Sequence, residues 1–159
     1  MFPIWNEAGK IVGFGGRALG DDQPKYLNSP ETSLYSKSRT LYALNLARES
    51  IRKQGRAVLV EGYMDCIALH QAGIGNTIAV CGTSLTEAQV RLLGRFTKKV
   101  VVNFDPDEAG DSATLRSLGL LLENGFGVRV LALPDQLHPD AYIRRHGGDS
   151  YTALLERAP

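Results

Sequence analysis

Cysteine is scarce in this sequence: its 159 residues hold two, Cys66 and Cys81, beside three histidines. The cysteines have no partner pair and no histidine at metal-ligand spacing. Neither a zinc site nor a disulfide framework is indicated, and a reducing compartment is the default. Long apolar runs are missing too. No stretch approaches the roughly 20 residues that a membrane helix needs, and the opening MFPIWNEAGK has neither the basic start nor the apolar middle of a secretion signal. A cytoplasmic location is expected. Internal repeats and low-complexity tracts are absent. With 43% hydrophobic and 22% charged residues, neither disorder nor a fibrous architecture fits. Charge of one sign is lacking overall, since the net value is +1. Its distribution is uneven: residues 1–56 carry nine Lys or Arg against five Asp or Glu, whereas residues 57–159 carry nine against twelve. A basic front and an acidic back suit a polyanion-handling groove beside a metal site, although a chain this short reaches such a split by chance as well.

The pattern present is that of an α/β protein. Residues 2–19 read as a hairpin broken by glycines, with close backbone approach and too little around it to form a domain by itself. Residues 20–35, GDDQPKYLNSPETSLY, form a long polar connection that groups Lys25, Tyr26, Asn28 and Ser29. A phosphate-binding charge, a stacking ring and an amide suit single-stranded nucleic acid; a plain surface loop is the alternative. Residues 37–54 carry Leu41, Leu44, Ala47 or Arg48, and Ile51 at helical spacing, with Ser36 or Ser38 as cap and Gly55 as stop. Lys37 and Arg39 then oppose the helix dipole in its first turn, a cost that a bound anion would relieve. From Arg56 onward strands alternate with helices: AVLV (57–60), a helix ending at Gly73, TIAV (77–80), a helix opened by the Thr86/Gln89 capping box, VVVNF (100–104), a helix from Ala109 to Asn124 stopped by Gly125, and VRVLAL (128–133). This alternation predicts a mainly parallel four-stranded sheet flanked by helices. A loop after Pro134, a short helix through Arg145 and a last helix capped by Asp149 complete the chain.

Chemistry concentrates where the strand VVVNF runs into DPDEAG. A core strand there delivers Asp105 and Asp107, with Pro106 between them, at its carboxyl end, the edge where open α/β sheets place their sites. Carboxylates this close repel unless a hard cation or a shared proton neutralises them. The competing reading is a solvated turn with Asp as a helix cap. Glu61 follows AVLV as Asp105 follows its own strand, so two carboxylate tips come from separate strands at one edge. If those strands are neighbours, the two can share a Mg²⁺. Asp65 lies one turn into the next helix and adds to this acidic patch, or serves only to support Glu61 or to favour the helix N-terminus.

EGYMD at 61–65 followed by FDPDEAG at 104–110 resembles the Toprim signature, a Glu after one strand and Asp-x-Asp after a later one. FGGRALGDDQPKYLNSPET, the helix start bearing Lys37 with LYAL, and LPDQLHPDAYIRRHGG are similar in order to motifs of the bacterial DnaG-type primase core, so the resemblance covers nearly the whole chain. It implies a partial amino-terminal lobe over 1–55, a Toprim catalytic domain over 56–146, and the start of a helical carboxyl-terminal part over 147–159. It also implies metal-dependent synthesis of short RNA primers on single-stranded DNA from ribonucleoside triphosphates. Glu61, Asp105, Asp107 and Asp140 would hold Mg²⁺, with Mn²⁺ as an alternative, and Asp65 and His138 would support them. Arg17, Lys25, Tyr26 and Asn28 would grip the template, and Lys37 would lie near the incoming phosphates. A replicative helicase would be engaged through parts outside this chain.

Two departures accompany the resemblance. His138-Pro139-Asp140 stands where the family has Asp-Pro-Asp, so one negative charge is missing beside a hard cation, unless His138 faces water. The family's zinc-binding domain and helical portion are not represented, so weak synthesis by this chain alone is expected. The competing functions are a Toprim nuclease, a non-catalytic module that binds single strands, and a phospho-acceptor fold using Asp105.

Overall fold

Two sheets divide the chain in sequence order, and the computed structural model describes residues 1–82, 84–106 and 108–159, with residues 108–111 described by backbone alone. The first sheet is antiparallel and joins β1 (Phe2–Trp5), β2 (Ile11–Arg17) and β3 (Tyr26–Asn28) in the order β1-β2-β3. The expected hairpin is β1 and β2. The long polar connection is not strandless, because Tyr26, Leu27 and Asn28 pair with Arg17, Gly16 and Gly15. A three-residue strand has no periodicity for the sequence to display.

The next correction concerns residues 37–54. The α-helix α1 covers only Leu44–Gln54, preceded by a single 3-10 turn at Lys37–Arg39 and by Ala43 in a left-handed conformation, φ 64°. Tertiary partners claim the backbone that a longer helix would have used. Tyr42 exchanges backbone bonds with Ala79, the Gln89 side chain donates to the carbonyls of Lys37 and Thr40, and the Thr86 hydroxyl donates to that of Ser38. Neither Ser36 nor Ser38 caps α1. Its stop is Gly55, whose positive φ of 69° lets its N–H reach the Ile51 carbonyl.

The second sheet is parallel. It contains β4 (Ala57–Val60), β5 (Thr77–Ala79), β6 (Lys99–Val102) and β7 (Gly127–Val130) in the order β5-β4-β6-β7. The intervening helices are α2 (Tyr63–Gln71), α3 (Glu87–Gly94) and α4 (Glu108–Glu123), and α5 (Pro139–Arg157) follows. Alternation along the strands builds two cores. Val58, Val60 and Val101 pack with Cys66 and Leu69 of α2 and Tyr151 and Leu155 of α5. Ala57, Leu59, Val100 and Val102 pack with α1, α3 and α4 through Ala47, Ile51, Val90, Leu93 and Leu121. The sheet is therefore covered on both faces, which is why β4 and the three valines of β6 read as continuous apolar runs. The reciprocal capping box opens α3 at Thr86 and Gln89. The last two expected helices form α5 with a break at Gly147, φ 81° and ψ 169°. Val130 N–H donates to the Pro159 carbonyl at the outer edge of β7.

Asn103, the residue directly after β6, is the one polar residue in the run VVVNF, and it is buried. Its amide donates to the Leu131 carbonyl at 3.0 Å and accepts the fully buried Tyr151 hydroxyl at 2.8 Å. This pins the chain two residues before Asp105. Tyr151→Phe leaves the Asn103 oxygen buried without that donor. We expect a loss of about 1–2 kcal/mol in denaturant unfolding, and an unchanged midpoint would refute the role.

Candidate metal centre and nucleic-acid cleft

The chain passes from β4 outward to β5, then crosses back to place β6 on the other side of β4. The carboxyl ends of β4 and β6 therefore flank a topological switch point, where connections leave in opposite directions and open a crevice. Glu61 directly follows β4, and Asp105 lies three residues beyond the end of β6. β4 and β6 are hydrogen-bonded neighbours, so the chain segments bearing Glu61 and Asp105 leave the sheet at one edge. Both line one cleft of about 420 Å³.

The tightest group of potential ligands is Asp65, Asp105 and His138, whose donor atoms lie within 4.8 Å of one another. His138 Nδ1 stands 2.9 Å from Asp105 Oδ1. The approach is not aligned as a hydrogen bond, and this buried oxygen has no hydrogen-bond partner among the described residues. His138 thus faces the carboxylates. Asp65 lies on the first turn of α2 and accepts the Asp140 backbone N–H at 3.0 Å. Burial pushes the Asp65 carboxyl up to about 7. The Asp140 N–H opposes that shift, while the Asp105 and Asp140 carboxylates reinforce it. Asp140 also lines the cleft, and its Oδ2 accepts from Arg144 at 3.0 Å. Asp107 lies outside the described residues. An oxygen-rich donor set with one imidazole, a buried carboxylate oxygen that makes no hydrogen bond among the described residues and an Asp reluctant to ionise together fit a divalent cation.

The facing wall comes from the first sheet. Arg17, Lys25, Tyr26 and Asn28 all line the same cleft, and the Arg17 guanidinium carbon lies 5.7 Å from the centre of the exposed Tyr26 ring. Asn28 does more than present an amide. Its Oδ1 accepts the Tyr63 hydroxyl at 2.6 Å, and its Nδ2 donates to the Cys81 carbonyl at 3.4 Å. Lys37 does not line this cleft; it borders a small void behind it with Tyr63 and Cys81.

Tyr63, which the sequence reading passed over, joins the two sheets. Its ring stacks on Phe2 at 4.8 Å and takes the edge of Tyr42 at 4.7 Å. Burial pushes its phenol upward in pKa, so it remains a proton donor to Asn28. Its position inside EGYMD was the available signal: an aromatic at the first turn of a helix behind a ligand-bearing strand end. Cys81, in the sequence only an unpaired cysteine, lines the cleft with a strained φ of 45°.

Residues 1–48 match the family model described as the DNA primase catalytic core, N-terminal domain, and residues 58–143 match the Toprim-like model. The chain belongs to the DnaG-type DNA primase family. This primase-family chain is 46% identical over 158 residues to a DNA primase of Clostridium acetobutylicum and 50% identical over 151 residues to one of Halalkalibacterium halodurans. These alignments cover 99% and 95% of the chain but 26% and 25% of the relatives, so it spans about a quarter of their length. Among solved structures it is similar to the Aquifex aeolicus primase zinc-binding and RNA polymerase domains, with a TM-score of 0.93 and 40% identity, covering 99% of this chain and 39% of that one. It is also similar to a DnaG primase catalytic domain bound to single-stranded DNA, with a TM-score of 0.90 and 43% identity, covering 99% and 51%. The parallel sheet and its helices are thus a Toprim fold. Among the described residues, no helix is long and apolar enough to cross a membrane.

Proposed function

We propose that this chain forms part of a primase catalytic core that copies single-stranded DNA into short RNA primers from ribonucleoside triphosphates, in the cytoplasm. The observation that carries this reading is a single cleft with carboxylates on one wall and Arg17, Lys25 and Tyr26 on the other. In this reading residues 1–55 form the template-binding lobe, 56–146 the Toprim catalytic domain, and 147–159 lead into a helical part. A replicative helicase would be engaged outside this chain.

Glu61, Asp105, Asp107 and Asp140, with Asp65 beside them, would hold the divalent ion, Mg²⁺ or Mn²⁺. Such ions shield a triphosphate, lower the pKa of an attacking 3′-hydroxyl and stabilise a pyrophosphate leaving group. Asp105 Oδ1, which makes no hydrogen bond among the described residues, faces the His138 ring nitrogen within the cluster and would be available to a cation there. Arg17 and Lys25 attract the phosphodiester backbone, and Tyr26 offers a face to a base. Asn28 is engaged internally at both ends of its amide, so it acts by holding the Tyr26 strand against the carboxylate edge. Lys37, behind the cleft, would contribute positive potential toward incoming phosphates.

The test is incorporation of labelled ribonucleotides on a single-stranded template, with the chain in its full-length context, with Mg²⁺ or Mn²⁺ and with a chelator. Cation-dependent primers are expected. DNA cleavage without primers, or strand binding with neither, would overturn the reading.

Two further outcomes follow from the walls. Tyr26→Ala is expected to weaken single-strand binding about tenfold through lost stacking, and Lys25→Ala to lower the slope of log affinity against log salt by about 0.7. Anisotropy titrations over a salt series read both, and wild-type curves would remove these residues from the interface. His138→Asp replaces an imidazole whose Nδ1 lies 2.9 Å from Asp105 Oδ1 with a carboxylate. It should tighten Mg²⁺ binding about tenfold by supplying a hard, charged oxygen. Isothermal titration with no change would count against His138 acting at the cation.

A further inference from the structure

The opposite end of the parallel sheet carries a second cavity, of about 740 Å³, bordered by the amino ends of β4, β6 and β7. Its charged lining consists of Arg56, Lys99, Arg129 and Glu156. Strand alternation places the three cations in a row. Lys99 shares a face of β6 with Val101, Val101 is the register partner of Arg129 and of Val58, and Arg56, just ahead of β4, lies two residues before Val58. Val58 and Val101 both belong to the core beneath α5, so the row emerges on the α5 side, beside Glu156 near the end of that helix.

Cations at this edge are expected to some degree, because the carboxyl ends of the helices lie here and attract positive charge. That explains Lys98, whose Nζ donates to the Asn124 carbonyl just past α4 at 3.1 Å. Arg52, on the last turn of α1, lies over the Phe96 ring. It does not explain the strand residues. Arg56 pairs with Glu156. Among the described residues, the side chains of Lys99 and Arg129 make neither a hydrogen bond nor a close ion pair, and both are exposed, while Arg129 adds to Arg56 in holding the Glu156 carboxyl below its ordinary value. The cavity therefore holds three cations against one carboxylate. Gly127 keeps its floor open beside Lys99, since a Cβ there would meet nothing closer than 3.9 Å.

We infer that this cavity is a phosphate-binding site, separate from the carboxylate edge, that takes the phosphates of a polyphosphate or nucleotide, or those of a nucleic-acid strand passing behind the sheet. Its volume suits a ligand of nucleotide size. Arg129 supplies a planar fork for phosphate oxygens and Lys99 a point charge. Arg56, held by Glu156, lends a third. Strand and small ligand share this chemistry and differ in what else they need, so both are tested.

The experiment uses the full chain in EDTA, which silences any cation-mediated phosphate binding at the carboxylates. Sodium pyrophosphate is titrated calorimetrically, and a fluorescein-labelled oligothymidylate by anisotropy. Wild type should bind pyrophosphate, and the double variant Lys99→Ala, Arg129→Ala should lose at least tenfold in affinity with its circular dichroism unchanged. Glu156→Gln removes the competing carboxylate and should tighten pyrophosphate several-fold, an effect that misfolding cannot imitate. A parallel loss of oligothymidylate binding in the double variant assigns the site to a strand; loss for pyrophosphate alone assigns it to a free polyphosphate. No pyrophosphate binding by wild type, or equal binding by the double variant, overturns the inference. Neither result depends on primer synthesis, so this site and the catalytic reading can fail separately.

Discussion

Asp105→Asn, introduced in the full-length context, should lower primer synthesis by about three orders of magnitude or more while leaving single-strand binding within about twofold of wild type. The substitution is nearly isosteric and removes one negative charge from the cluster with Asp65 and His138. Charge stabilisation by a bound cation is worth several kcal/mol, and each 1.4 kcal/mol is about tenfold in rate. The fold should tolerate the change, because the affected Oδ1 makes no hydrogen bond among the described residues. The measurement is single-turnover ribonucleotide incorporation alongside anisotropy with the same template. Activity retained within tenfold would remove Asp105 from the reaction; loss of strand binding in proportion would make its role structural.

Gly15→Ala should destabilise the protein by about 2–3 kcal/mol, through overpacking against a ring that has nowhere to go. A Cβ at Gly15 would stand 2.5 Å from Tyr63 Cζ and 2.6 Å from its hydroxyl oxygen. Tyr63 cannot swing aside, since Phe2 stacks on it, Tyr42 meets it edge-on and Asn28 holds its hydroxyl. The first sheet has to lift instead, carrying Arg17 and Tyr26 away from the carboxylates. Denaturant unfolding reads the stability, and template affinity should fall with it. Gly16→Ala is the control, because its Cβ would meet only the Leu27 carbonyl at 3.7 Å. Equal stability of the two variants would show that the Gly15 to Tyr63 contact is not tight.

The centre of the parallel sheet was legible because burial on both faces writes β4 and most of β6 as apolar runs. AVLV is buried at all four positions. Gly55 and the Thr86/Gln89 box are local devices, and they act where the sequence places them. The start of α1 was not legible, because what straightens residues 37–43 is Gln89 and Ala79, dozens of residues away. At the site, Glu61 and Asp105 could be paired by analogy between strand ends. The membership of Asp65 and His138 in the tight cluster depends on how α5 docks on α2, through contacts such as the Asp140 N–H to Asp65. The internal bonds of Asn28 were hidden for the same reason: a short polar side chain looks alike whether it meets solvent, a strand of DNA or Tyr63.

The exchange of backbone bonds between Tyr42 and Ala79 has a further effect, on behaviour in crowded solution. β5 has only three residues and borders the sheet, and an exposed border of that kind invites pairing with a neighbouring molecule and growth into aggregates. By occupying both Ala79 groups, N–H and carbonyl, with a chain segment that turns away at Ala43, the protein seals that border.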